Sequence, residues 1–452
     1  MKKNLIFLLV LWVFIGIGCS DSSPGSAVPR TMRVGVLLPA TGFSPINGEA
    51  QQAAVELAIE DINVYFTAND SPNRVEAVIS DTQGSIDEES RLLDEMSAQG
   101  IPIVICSMTS GSLALVKPQI DAGGAIVLND VSTSTHLSID DNLFRLVPDD
   151  GYSARVMADF LLFEKGVEKI IIYYRNDWWG TALQEELTDA FTEEGGSVAD
   201  AIVFDSRLFM ADMDEKVDQL NTSVTQALIG TTIDKVAVIL ISFEEGIDIL
   251  ERAAAYPTLS SIKWYTGDGL GQNMDLLDND TAAAFAAEVS LYAPLIAETD
   301  SESYRALLER LRDRTGLAHY AFAPVIYDAV WLAALTMSEA GSTADSALLK
   351  TTLLQEAESY DAVSGVIVFN DAGDRTRCGY DFWAVDLVNG EYQWVKSVEA
   401  FFSATAAPSF STTGTPFVTT PQMRPQGQQP VPEPTVEEFL EMINNEQNEQ
   451  IR

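Results

Sequence analysis

The sequence predicts an α/β chain of two Rossmann-like three-layer α/β/α lobes with a cleft between them. Three observations predict this. From Met32 onward, short β-branched runs alternate with amphipathic stretches, the pattern of βαβ units and parallel sheets. The alternation restarts after Phe144-Arg145-Leu146-Val147-Pro148, which makes two series rather than one. A chain of 452 residues with 46% hydrophobic and 9% aromatic content can fill two cores of ordinary size, and that content excludes wholesale disorder.

In the first series, residues 33–38 (RVGVLL) read as a buried strand. Residues 48–63 then place Ala53, Ala54, Leu57, Ala58 and Ile62 near helical spacing, with alanines small enough for close packing on a sheet. Strand 75–80 pairs with helix 86–98, strand 101–106 with helix 113–121, and strand 125–128 follows. The second series alternates helices 151–164, 181–194, 210–228 and 246–255 with strands 169–174, 197–204, 236–241 and 262–266. Right-handed crossovers close each series into a sandwich, and the loops after the strands, at their carboxyl ends, are where a ligand binds. Helices 304–314 and 322–337 return to the first lobe, and a strand pair, 365–370 and 380–387, follows. Asn389-Gly390 reads as a hairpin turn leading to Tyr392. The Thr, Ser, Pro and Gln-rich stretch 403–435 reads as linker, and Val436, Phe439, Leu440 and Ile443 mark a short amphipathic tail. The expected division is 31–147 with 297–360 as lobe 1, 148–296 with 361–400 as lobe 2, and 401–452 as linker and tail.

Ahead of the lobes, Lys2 and Lys3 precede an apolar run over 5–17 that is short for a spanning helix, which needs ~20 residues. Gly16-Ile17-Gly18-Cys19-Ser20 looks like a lipoprotein cleavage site, with Gly16 where a larger aliphatic is usual. Residues 1–18 are then the signal peptide, Cys19 the lipid attachment and 19–30 a flexible tether. The alternative is an uncleaved amino-terminal anchor. Either way the expected place is across the cytoplasmic membrane, held at the cell surface or in the periplasm.

Lys+Arg number 27 against 67 Asp+Glu, a formal charge of −40, which repels phosphate backbones and excludes nucleic acid as a partner. Such acidity reads first as a high-salt or solubility surface, and alternatively as a match to a cationic ligand. Cys106 and Cys378 make no disulfide framework, and His136 and His319 lie in no nucleophile context. With no P-loop, dinucleotide fingerprint, triad or metal motif, neither an enzyme nor a cofactor is expected.

The ordered pieces over 32–398 carry a family resemblance. They are Gly35-Val36-Leu37-Leu38-Pro39 with Thr41-Gly42, Gly48, 58–63 (AIEDIN), 132–137 (STSTHL), and Phe144-Arg145 with Pro148 and Asp150. Later come Trp179-Gly180, Gly267-Asp268-Gly269, Tyr327-Asp328-Ala329, Phe369-Asn370 and Gly373-Asp374-Arg375. In this order they resemble the type I periplasmic-binding-protein family, specifically the branched-chain amino-acid-type substrate-binding proteins of ABC transporters. The resemblance implies lobes that close on an amino acid or similar small molecule and a partner permease in the membrane. A receptor of the same fold coupled to a membrane sensor, or a surface lipoprotein that binds nothing, would share these features.

The residues themselves are consistent with such a site. Ser107, Thr109 and Ser110 follow strand 101–106 where the next helix begins, so hydroxyls and free N–H groups gather at its positive end, a seat for a carboxylate. The next loop adds the Val131 backbone and Thr133. The resemblance assigns Ser107, Val131 and Thr133 to a ligand carboxylate; the same residue types also serve as plain helix caps. A desolvated ammonium needs a negative partner. Asp268, between glycines after a strand, matches the family's acidic position. Trp179 stands where the family often has Tyr, either stacking on the ligand or packing in the core. Asn47 and Ser242 replace aromatics of the leucine-type binders, which points away from strict Leu/Ile/Val specificity and toward another amino acid, an amide or a small carboxylate. Cys106 matches a cysteine that is disulfide-bonded in some relatives, but the region around Gln83 lacks the partner, so a free buried thiol is expected.

Overall fold

Strand β1 (Arg30–Leu38) has apolar side chains on both faces, as a central parallel strand covered by helices on each side must. In the computed structural model, which describes residues 30–42, 48–206, 209–316, 320–403 and 406–416, it is followed by α1 (Gly48–Ala68), β2 (Asn73–Asp81), α2 (Ile86–Ala98) and β3 (Ile103–Cys106). Then come α3 (Ser110–Gly123), β4 (Ile126–Asn129) and β5 (Leu143–Arg145), giving a parallel sheet of order β2-β1-β3-β4-β5. Cys19, the expected signal segment and tether, Asn47, His319 and everything beyond 416 lie outside the described residues.

The chain crosses into a second sheet through α4 (Asp150–Asp159), which runs on into a π-helical turn, Phe160–Glu164. β6 (Lys169–Arg175), α5 (Trp178–Glu193), β7 (Ser197–Phe204), α6 (Phe209–Ala227), β8 (Val236–Ile241), α7 (Glu245–Ala253), α8 (Pro257–Ser260) and β9 (Lys263–Thr266) follow. The lobe continues with α9 (Met274–Asp278), α10 (Asp280–Val289) and β10 (Tyr292–Ile296). The chain then returns through α11 (Glu302–Thr315), α12 (Ala323–Ala340) and α13 (Ser346–Ser359) before β11 (Tyr380–Val388), β12 (Glu391–Ser403) and β13 (Ala406–Pro416). The second sheet has the order β13-β12-β11-β10-β9-β8-β6-β7.

Period-two alternation explains the layers. Val34, Val36, Leu38, Ile103, Ile105, Ile126 and Leu128 face one core with α1, α11, α12 and α13. Leu37, Val104, Cys106 and Val127 face the other, against Leu92, Met96, Leu113 and Val116 of α2 and α3. Helices α11 to α13 thus complete the first lobe, whereas β11 joins the second sheet antiparallel to β10.

Two buried arginines bind the crossings. Arg145 is 0% exposed; its Nε donates to Asp374 Oδ1 at 2.6 Å, Nη1 to the Ser134 carbonyl at 2.6 Å and Nη2 to Ser138 Oγ at 2.8 Å. Arg375 donates to the Leu146 and Ser364 carbonyls at 3.1 and 2.8 Å. These bonds tie residues 134–146 to residues 364–375.

Two sequence expectations are corrected. Residues 365–370 form no strand: an isolated bridge, Phe369 to Arg375, replaces the expected pair, because the chain here wraps around Arg375 rather than joining a sheet. Residues 406–416, expected as linker, form the edge strand β13 on β12. The Asn389-Gly390 hairpin forms as expected, with φ of 55° and 91°, the two left-handed residues that a tight β-turn between twisted strands requires. Cys106 is a buried free thiol whose pKa is pushed up to about 12 by burial.

Candidate functional site in the cleft

The segment after the carboxyl end of β4 meets the start of α5, after the carboxyl end of β6, where the lobes touch. Ser134 Oγ donates to the Trp178 carbonyl at 2.8 Å, and His136 lies 3.1 Å from Glu185 Oε2 with its ring edge-on to Trp178. The Asp150 N–H donates to the Thr133 carbonyl at 2.7 Å.

On the first lobe, Asn129 ties the loops after β3 and β4 together. Its amide donates to the Cys106 and Met108 carbonyls at 3.0 and 2.9 Å, and its Oδ1 accepts from Val131 N at 3.0 Å and Ser132 N at 2.6 Å. The expected first-lobe residues stand together here, and Ser107, Thr109, Ser110 and Val131 are hydrogen-bonded within the protein. Ser107 Oγ donates to Asp130 Oδ1 at 2.7 Å, and Gln51 Nε2 donates to the other carboxylate oxygen. Thr109 caps α3 by accepting from Ser112 N. Ser110 Oγ pairs with Ser132 Oγ at 2.9 Å. The Thr133 side chain lies beside the Asp150 carboxylate and opposes the rise in its pKa. Asp130 and Asp150 were missed as site residues, since an aspartate after a strand or at a helix start reads as a cap.

Across the cleft, Trp179 is 3% exposed and stacks on Phe243 with centroids 4.7 Å apart and planes within 6°; the Arg175 guanidinium lies 3.9 Å from the Phe243 centroid. Of its two expected roles Trp179 therefore takes the packing one. The glycines beside Asp268 serve this ring pair: a Cβ on Gly269 would sit 2.5 Å from Phe243 and 2.7 Å from Trp179, and one on Gly267 2.9 Å from Trp179. Ser242 is fully buried with an unpartnered hydroxyl, pressed against α7 where a Cβ on Gly246 would meet it at 2.3 Å.

Asp268 opens a single 3-10 turn after β9 and stays partly exposed. Burial from bulk solvent raises its carboxyl to about 6, opposed by its own and the Gly269 backbone N–H groups. Asp150, 1% exposed, is raised well above the ordinary carboxylate value by burial and then by the negative charge of Asp268, with the Thr133 hydroxyl opposing. Asp150 Oδ2 has no hydrogen-bond partner. Burial likewise lifts Asp130 to about 7, against the bonds from Ser107 and Gln51. Two like-charged carboxylates held close and short of donors favour a cation between them. No group of three or more His, Cys, Asp or Glu that could hold a metal ion occurs among the described residues.

The family model for periplasmic binding proteins matches residues 31–390. The chain belongs to this family, with its type I fold. Periplasmic binding proteins of this type are solute-binding proteins that work outside the cytoplasm, and the family is not one of enzymes. An uncharacterised protein of Methanocaldococcus jannaschii is 23% identical over 84% of this chain and 93% of its own length. A Leu/Ile/Val-binding protein homolog of Brucella melitensis is 22% identical over 80% of this chain and 93% of its own. Among solved structures, an ABC transporter substrate-binding protein of Desulfitobacterium hafniense in complex with Leu matches with a TM-score of 0.63 at 20% identity, covering 81% of this chain and all of that one. At such identity the likeness shows the fold. No helix among the described residues is long and apolar enough to cross a membrane.

Proposed function

We propose that this periplasmic binding protein is an extracytoplasmic lipoprotein, anchored through Cys19, that captures an amino acid or related amine-bearing small molecule by lobe closure and delivers it to an ABC permease. The observation that carries the reading is the pair Asp150 and Asp268: Asp150 is 1% exposed with Oδ2 unpartnered, and the negative charge of Asp268 beside it helps to raise its pKa. An ammonium placed there meets both charges in a site shielded from water, where each such bond is strong. Thr133 lies beside Asp150 from the first lobe, with Ser107, Thr109, Ser110 and Val131 on the neighbouring loops, and a solved neighbour is named as a complex with Leu.

A thermal-shift screen of amino acids, amines, amides and short carboxylates against the mature protein tests the proposal. A true ligand at 100-fold over its dissociation constant stabilises the fold by about 2.7 kcal/mol. A flat response to every class would leave a surface lipoprotein with an unused cleft.

A further inference from the structure

A groove of about 2040 Å³ lies where α4, α11, residues 364–379 and β12 come together, and none of the described residues expected to hold the ligand lines it. Each lobe supplies a wall: Tyr304 and Leu308 of α11 from the first, Phe163 with Lys396 and Ala400 of β12 from the second. Two apolar side chains stand open in it. Phe163, on the π-helical turn after α4, is 64% exposed, and Val366 is 61% exposed. Half of the groove's acids are paired, Asp300 with Arg305, and Glu298, Asp381 and Glu399 with Lys396. The acids with no ion pair among the described residues, Asp149, Asp159, Glu186 and Glu194, lie on α4 and α5 or at their ends, whereas Arg377, equally unpaired, is on the segment that carries Val366.

The course of the chain beyond β12 says what covers this groove. β13 runs antiparallel to β12 and pairs Thr415 with Lys396 and Pro416 with Val395, so the chain leaves the sheet one strand spacing, ~4.8 Å, from a residue of the groove wall. Residues 417–452 follow, outside the described residues. Among them Val436, Phe439, Leu440 and Ile443 recur at the spacing of one helical face, with Glu437, Glu438 and Glu441 at the positions of the other. Residues 417–435 span roughly 25 Å as a flexible chain. A helix over 436–443 would be about 12 Å long and 10–12 Å across, a size the groove can hold. We propose that segment 436–443 of this same chain docks there, its apolar face on Phe163 and Val366 and its glutamates toward Arg377. Apolar contact sets the fit and the charges orient it. A connection this short makes the pairing intramolecular, at an effective concentration in the millimolar range, so a modest contact suffices.

Photo-cross-linking of the full mature chain with p-benzoylphenylalanine in place of Phe439 tests the proposal. Insertion is expected in the peptides covering 152–163, 364–379 and 396–400 of the same molecule, which a mixture of isotopically light and heavy protein distinguishes from insertion into a neighbour. Phe163→Ser together with Val366→Ser, both at exposed positions, is expected to cut the yield at least tenfold. Insertion confined to other peptides, or to pairs of light and heavy copies, overturns the proposal. So does a yield that the double substitution leaves unchanged, or no insertion at all.

Discussion

Asp268→Asn is expected to weaken amine binding by about two orders of magnitude while making the unliganded protein more stable. Truncating one member of a desolvated charge pair costs 2–5 kcal/mol or more in binding, and each 1.4 kcal/mol is a factor of ten. The opposite sign for stability follows from burial: Asp268 is raised to about 6 and Asp150 well above the ordinary carboxylate value, so the folded chain holds protons that the unfolded chain has released. Stability linked to these groups therefore falls as pH rises from about 4 through 6, and the neutral amide removes that penalty. Amine affinity runs the other way in the wild type, weakening as pH falls through about 6 because the carboxylates must be ionised to receive a cation. Calorimetry at pH 5 and 7.5, with thermal melts of both proteins without ligand, separates these effects. Unchanged affinity in the variant would remove Asp268 from the site.

Arg145→Met is expected to destabilise the fold by roughly 3–5 kcal/mol, the cost of leaving a buried carboxylate unpaired. Asp374 is 1% exposed, its Oδ1 bond to Arg145 is lost, and its Oδ2 already has no partner. The Ser134 carbonyl and Ser138 hydroxyl lose their donor in the same step. Denaturant unfolding reads this as a lower midpoint at unchanged slope. The double variant Arg145→Met, Asp374→Leu should recover part of the loss, since apolar replacement of both partners leaves no stranded charge. A single variant as stable as the parent would mean that the crossings are held by other contacts.

The lobes were legible because central parallel strands such as 103–106 and 236–241 are apolar on both faces and need no tertiary context to be recognised. The edge strand β13 was not, because its Ser, Thr and Pro-rich sequence has the composition of a linker and becomes a strand only through pairing with β12. In the site, Asp268 stood out by its place after a strand, but its flanking glycines proved to accommodate Trp179 and Phe243. Asp130 could not be read from sequence as more than a loop residue, nor Asp150 as more than a resemblance position, since what sets them apart is burial and, for Asp130, the Ser107 hydroxyl brought to it from another loop.

The rim bond from Ser134 to the Trp178 carbonyl spans the two halves at 2.8 Å. A solute passing between halves so joined waits for that latch to part, so its opening frequency sets a ceiling on the capture rate at high solute concentration.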